Sequence, residues 1–178
     1  MTQDLTLFHK FTQQFTNTEM TDIRRIGRNF FQAEERLWEI KNGVNRDIYS
    51  LGLHLGEEKM GFSPSPALVD LISKFPDAES KKIFVNKKAE WMFLCGRNIL
   101  SSSISKNPNR LSEGLVLVQN EHDENLGYGL FKKEDTLIIK HVLDKGRYLR
   151  IDEKGHNKRA GQSSKKSGKG KFHDASSF

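Results

Sequence analysis

The chain has 178 residues, of which 35% are hydrophobic and 29% charged, with a net charge of +6. That length holds one large domain or two small ones, and twelve phenylalanines argue for packed cores rather than an unfolded polyelectrolyte. No apolar run of roughly 18 residues occurs, the opening MTQDLTLFHKF lacks the pattern of a secretory signal, and the single cysteine, Cys95, excludes an intrachain disulfide and suits a reducing, intracellular setting.

Apolar residues at Leu7, Phe8, Phe11 and Phe15 recur at helical spacing and predict a short helix over residues 7–15. Residues 29–40, NFFQAEERLWEI, contain many helix formers but no clean 3.6-residue face. The preferred reading is two strands joined near Glu35, with one long helix as the alternative. Asn42-Gly43 is a turn signal. Residues 48–55 alternate at Tyr49, Leu51, Leu53 and Leu55, which predicts a strand. Ser65 suits an N-cap and Pro66 the first position of a helix whose apolar face is Ala67, Leu68, Leu71, Ile72 and Phe75. Pro76 and Asp77 end it, and the polar stretch 77–82 reads as a domain boundary.

Ile83, Phe84 and Val85 form a β-prone run. Asn86 can cap a helix starting at Lys87, and Gly96 can end it. Ala89, Met92, Phe93 and Cys95 are the expected core face; Trp91 lies off that face and is expected to cover the junction with the first domain, the alternative being a ring offered to RNA or a partner. Extended structure resumes at Ile99, Leu100 and Ile104, and the apolar run 115–118 predicts a buried strand. Gly127 and Gly129 flank Tyr128 where a small barrel needs a tight bend or bulge. The last strands are expected at 137–141 and 148–151. From residue 155 onward the chain is Gly, Ser, Lys and Gln with almost no apolar side chains, a composition expected to be disordered in isolation.

Several short motifs in this order resemble a PUA domain, a small pseudobarrel found on many RNA-binding proteins. They are Ala89-Glu90, Phe93-Leu94-Cys95-Gly96, Ile99-Leu100, Glu113-Gly114-Leu115-Val116, Leu126-Gly127-Tyr128-Gly129 and Gly146-Arg147-Tyr148-Leu149-Arg150. Ser50-Leu51-Gly52 and the helix after Ser65 extend the likeness upstream, so that residues from about 7 to 153 resemble the Nip-seven family of ribosome-biogenesis factors. The resemblance also favours the hairpin reading of 29–40. The basic tail and the short Thr- and Gln-rich start depart from the family pattern. Pattern and resemblance together imply an α+β chain in three parts. The first, 1–79, is a small domain with an antiparallel sheet and helices; the second, 80–153, a PUA-type β-pseudobarrel; the third, 154–178, a disordered basic tail.

Charge steps along these parts. Residues 1–80 hold nine basic and twelve acidic side chains, 81–153 hold thirteen and ten, and 154–178 hold seven and one. A basic second half suits a polyanion, and RNA is the commonest. The candidate RNA contacts are Arg97, after the helix-ending glycine, and the cluster Lys145, Arg147, Arg150 and Lys154, with Lys140 on the preceding strand. In an extended segment Lys145 and Arg147 point together, while Arg150 needs a twist or bulge to join them. The plain alternative is solvated loop and edge-strand bases, where lysine also discourages unwanted pairing. The resemblance raises the functional alternative, because family members use the basic end of the PUA domain for RNA.

No catalytic residue, metal or cofactor is expected. The histidines at 9, 54, 122, 141, 156 and 173 show no zinc-ligand spacing, there is no phosphate-binding loop, and Glu121 to Glu124 read as a solvated hairpin tip. The resemblance implies a non-catalytic factor in pre-rRNA processing and large-subunit assembly, with RNA as partner and other assembly proteins or the exosome at the acidic first domain. It also implies a cytoplasmic location, nucleolar in a eukaryote. The rival reading is an accessory or minimal RNA-modification protein carrying a PUA domain.

Overall fold

In a computed structural model, which describes residues 4–133, 137–147 and 150, the first helix forms where the phenylalanines predict it. Helix α1 spans Thr6–Thr12, and Phe8 and Phe11 on it are buried, as is Phe15 just beyond it. Strands β1 (Ile23–Ile26), β2 (Asn29–Gln32), β3 (Leu53–Glu58) and β4 (Phe62–Pro64) follow in an antiparallel sheet of order β1-β2-β3-β4.

Residues 29–40 are neither two strands nor one helix. Strand β2 stops at Gln32, and α2 runs from Glu35 to Gly43. Trp38 is buried beneath α2, its indole N–H donating to the Ala33 carbonyl at 3.0 Å. Leu37 and Ile40 remain exposed, which is why the apolar pattern there fits no single period. Asn42-Gly43, read as a turn signal, forms the last two residues of that helix. The alternation from residue 48 also misleads, because Tyr49 is 82% exposed and β3 begins only at Leu53. Gly52 forces the delay: its φ is +69°, and a Cβ there would lie 2.3 Å from the Gln32 carbonyl oxygen.

Helix α3 (Pro66–Ile72) starts as expected, with the Ser65 hydroxyl accepting from the Leu68 amide at 3.1 Å and Pro66 in its first turn. The polar stretch that follows is not slack chain. It is a 3-10 helix, Pro76–Lys81, whose Ala78 is fully buried. Its Asp77 accepts from the Thr16 hydroxyl and the Asn17 amide, both at 2.6 Å, and from the Thr18 hydroxyl at 3.1 Å. The Thr16 bond, then the Asn17 bond, hold the Asp77 carboxyl below the usual carboxylate range.

The second sheet takes β5 (Lys82–Val85), β6 (Ile99–Leu100), β7 (Ile104–Lys106), β8 (Gly114–Gln119), β9 (Asn125–Lys133) and β10 (Leu137–Asp144). The order is β6-β10-β9-β8-β5-β7, parallel at β5–β8 and antiparallel elsewhere. Its two outermost strands, β6 and β7, are separated in the chain only by a 3-10 turn over Ser101–Ser103. That short link draws the edges together and curls the sheet into a nearly closed pseudobarrel. Helix α4 (Lys87–Leu94) is capped by Asn86, whose side chain accepts from the Ala89 amide at 3.0 Å. Gly127 sits where close approach is needed: a Cβ there would meet the Leu143 carbonyl oxygen at 2.0 Å, and the ladder shifts register beside it on both neighbouring strands.

Strand β8 has apolar side chains on both faces. Val116 and Val118 point into the barrel with Ile83, Val85, Phe93, Phe131 and Ile139. Leu117, between them, points the other way and joins Phe8, Phe11, Phe15, Phe30 and Leu68, along with Tyr128 and Leu143. The expected boundary at 79/80 therefore separates the two sheets but not the core. Cys95, expected in the core, is exposed, because α4 ends at Leu94.

The chain divides into two units, Met1–Lys145 and Gly146–Phe178. In the second unit Arg147 and Arg150 are helical, and the Arg150 amide donates to the Gly146 carbonyl at 3.2 Å. The strand expected at 148–151 is thus replaced by a helical turn at its described residue. Residues 148 and 149 and the tail from 151, including Lys154, lie outside the described residues.

The shared core predicts cooperative unfolding of both sheets. Phe15 packs on Tyr128 with ring centroids 5.7 Å apart, so Phe15→Ala is expected to remove about 3–5 kcal/mol. Amide hydrogen exchange checks it: protection in β2–β3 and in β8–β9 falls by the same factor, whereas loss in the first sheet alone means the halves unfold separately.

Candidate nucleic-acid interface

Gly96, with φ at +78°, turns the chain out of α4 and into a loop that is exposed at Arg97. The Arg97 amide donates back to the Met92 carbonyl at 3.1 Å, which holds the loop against the helix end and leaves the guanidinium in solvent. The next residue, Asn98, fixes the loop to the barrel: its side-chain oxygen accepts from the His141 amide at 3.0 Å. His141 directly follows Lys140, half-buried on β10 opposite Leu130. The fold therefore brings two candidates far apart in sequence, Arg97 and Lys140, to one stretch of the β10 edge. His141 is itself held from two sides, by an edge-on contact with the Phe93 ring and by a 2.5 Å bond between Nε2 and the buried Asp144 carboxylate.

Lys145 is placed differently. Its ammonium pairs with Asp70 of α3 at 2.5 Å, and the same carboxylate takes Lys74 at 2.9 Å. Partial burial pushes the Asp70 carboxyl up, but hydrogen bonds from Lys145 and Lys74 and their charges outweigh it and hold the group below the usual range. Lys145 lines a cleft of about 700 Å³ in which five carboxylates face three ammonium groups. Lys145 is thus engaged by Asp70, which ties the end of β10 to α3 and places this candidate beside carboxylates rather than beside Arg97.

The acidic turn after β8 is also a structural device. Asp123 at its tip has φ +60° and accepts from the Lys82 ammonium at 3.0 and 3.2 Å. Lys82 is buried and also pairs with Glu79. Burial lowers its pKa, but the bonds to Glu79 and Asp123 more than reverse that, so it stays charged. The turn expected to be a solvated tip thus closes over a buried cation supplied by β5.

In the second unit, Arg147 is exposed and Arg150 half-buried. Three residues apart in a helical turn, they share a face, which the extended reading denied them. Sequence reasoning undervalued α4. Trp91 does not cover a junction; it is 66% exposed. Lys87 and Lys88, one turn earlier, are exposed as well. The signal was present in Trp91 lying off the Ala89–Phe93 face.

Residues 81–153 match the family described as UPF0113 PUA domain, the span that folds here around α4 and the pseudobarrel. A protein of Archaeoglobus fulgidus described as a UPF0113 protein is 30% identical over 78 residues, covering 39% of this chain and 45% of that protein. The chain thus spans under half the length of this relative. A solved structure described as a conserved PUA domain protein from Thermoplasma acidophilum aligns at 16% identity and a TM-score of 0.40, over 60% of this chain and 86% of that one.

The Asp70 cluster carries a pH signature. A carboxyl held below its unfolded value, near 3.8, contributes stability that is complete above that pH and is lost as pH falls through the lower folded value. Asp70→Asn is therefore expected to be less stable than wild type at neutral pH, with the gap closing below about pH 4. Urea titrations across that range check it; a gap independent of pH means the carboxylate charge is not what ties Lys145.

Proposed function

We propose that this protein is a non-catalytic RNA-binding factor acting in pre-rRNA processing and assembly of the large ribosomal subunit, in the cytoplasm, or in the nucleolus of a eukaryote. The observation that carries this reading is the coincidence of two boundaries. The span that matches a PUA domain, 81–153, is also where the chain turns from net acidic to net basic. The exposed Arg97 beside Lys140 supplies a cationic edge within it. Arg147 and Arg150 add two more cations, and the tail adds charge without fixed geometry.

The first domain fits a different kind of partner. It is acidic overall, and around α2 it leaves Leu37, Ile40, Val44 and Tyr49 in solvent. That combination suits a basic protein surface, consistent with another assembly factor or the exosome.

Filter binding of the full chain to structured ribosomal RNA, titrated with salt, tests the reading. Affinity is expected to fall linearly on a log–log scale. Arg97→Gln should flatten the slope by roughly one unit per lost phosphate contact. Removing residues 155–178 should weaken binding to all RNAs by a similar factor, since a flexible polycation presents no fixed pattern to base edges. Binding that ignores salt, or no binding, overturns the proposal and favours a protein adaptor.

A further inference from the structure

We propose that the cleft between α3, α4 and the turn joining β8 to β9 seats an arginine-bearing segment of a partner protein. The guanidinium lies between Glu90 and Glu124, and a peptide carbonyl meets the Asn125 side chain. This site uses other residues than the exposed apolar group around α2, and it does not depend on the RNA-binding reading above.

The charges in the cleft do not balance. Its three lysines are all paired: Asp70 takes Lys74 and Lys145, while Glu79 and Asp123 both take Lys82. The two carboxylates left over, Glu90 and Glu124, have no ion pair among the described residues. They are held in place nonetheless. Both accept from Nδ2 of Asn120, Glu90 at 3.4 Å and Glu124 at 2.6 Å. Asn120 is itself 2% exposed, and its Oδ1 accepts from the His122 and Glu124 amides, both at 2.9 Å. One buried amide therefore holds two like charges side by side, no farther apart than the sum of its two bonds. Coulomb repulsion disfavours such a pair until a cation comes between them.

A second, independent observation comes from β9. Asn125, its first residue, lines the same cleft and is 4% exposed. Its Oδ1 is used twice, accepting from the Gln119 side chain at 3.4 Å and from the Gly127 amide at 3.3 Å. Those bonds fix which way the amide faces, and they leave Nδ2 with no hydrogen-bond partner among the described residues. A buried donor without an acceptor destabilises the fold unless a ligand supplies one. Beside it, Leu94 and Leu126 give the cleft an apolar wall.

These features together select the occupant. Among the described residues no three His, Cys, Asp or Glu side chains are grouped to hold a metal ion. A polyamine brings ammonium groups but no acceptor for Asn125. A phosphodiester chain brings acceptors but meets two carboxylates that lack a cation. An arginine within a peptide carries all three parts. Its planar guanidinium can fork between two carboxylates, its methylene stem can lie on the leucines, and a backbone carbonyl can accept from the orphaned amide. Arginine is also enriched in protein interfaces, where lysine is depleted.

Nuclear magnetic resonance of the full chain reads the site directly, because the side-chain amides of Asn120 and Asn125 give their own signals. The probes are a blocked Gly-Arg-Gly peptide, its citrulline analogue, which is neutral and of the same shape, and butylguanidinium, which has no peptide carbonyl. The arginine peptide at millimolar concentration is expected to move both side-chain amides, and the citrulline peptide neither. Butylguanidinium is expected to move Asn120 and to leave Asn125 in place. Glu90→Gln with Glu124→Gln keeps an acceptor for Asn120 at each position and should weaken peptide binding on the order of tenfold, with an otherwise unchanged backbone spectrum as the check on folding. No shift of either amide, equal binding by variant and wild type, or equal binding of the citrulline peptide overturns the proposal. Movement of both amides by butylguanidinium overturns it as well, since the site would then take any small cation, and movement of both by short oligoadenosine would make it a nucleic-acid site instead.

Discussion

Leu117 is the residue on which both halves of the first unit depend. Its neighbours Val116 and Val118 fill the barrel, while it enters the phenylalanine core of the first sheet. A strand buried on both faces can support two cores only if its register is fixed, since a one-residue slip would exchange every side chain between them. The fold fixes it from both sides. Parallel pairing with β5 sets Lys82 opposite Leu117, and antiparallel pairing with β9 sets Tyr128 opposite it. Lys82 in turn closes the hairpin by holding Asp123, and Tyr128 meets Phe11 and Phe15. The electrostatic lock and the aromatic contact thus secure one register at opposite edges of one strand.

The barrel was largely legible in the sequence because its signals are local. Asn86, Gly96 and Gly127 each specify a backbone conformation at one position, and the run from Leu115 to Val118 is short enough for the buried strand it forms. The first domain was less legible because its elements are short and carry outward-facing apolar groups. Leu37 and Ile40 look like core by composition but lie on the wet side of α2, and Tyr49 extends an alternation that the sheet takes up only from Leu53. Nothing local reveals that Gly52 must sit against the Gln32 carbonyl. That is a long-range contact, and single-residue propensity does not encode it.

The candidate interface divides in the same way. Residue type alone placed Arg97, Lys140 and Lys145 in one class. The structure separates them, because a cation's role is set by its nearest carboxylate. Asp70 takes Lys145 and Lys74, Asp123 and Glu79 take Lys82, and Arg97 is left exposed. A charge count along the chain cannot see these pairings, yet they decide which lysines remain for a polyanion. Arg147 and Arg150 were reassigned by backbone geometry instead, since a helical turn groups residues three apart where a strand groups those two apart.

The position of Leu143 in the phenylalanine core has a consequence for synthesis. The first sheet is complete in sequence by Pro64, and α3 by Ile72. Yet Phe11 and Phe15 keep an open side until Tyr128 and Leu143 leave the ribosome. At ordinary elongation rates that interval is on the order of ten seconds, during which several aromatic side chains stand without their final partners. The early half of the nascent chain is thus a natural client for chaperones that hold exposed apolar segments, and its folding is coupled to the arrival of β10 rather than to its own completion.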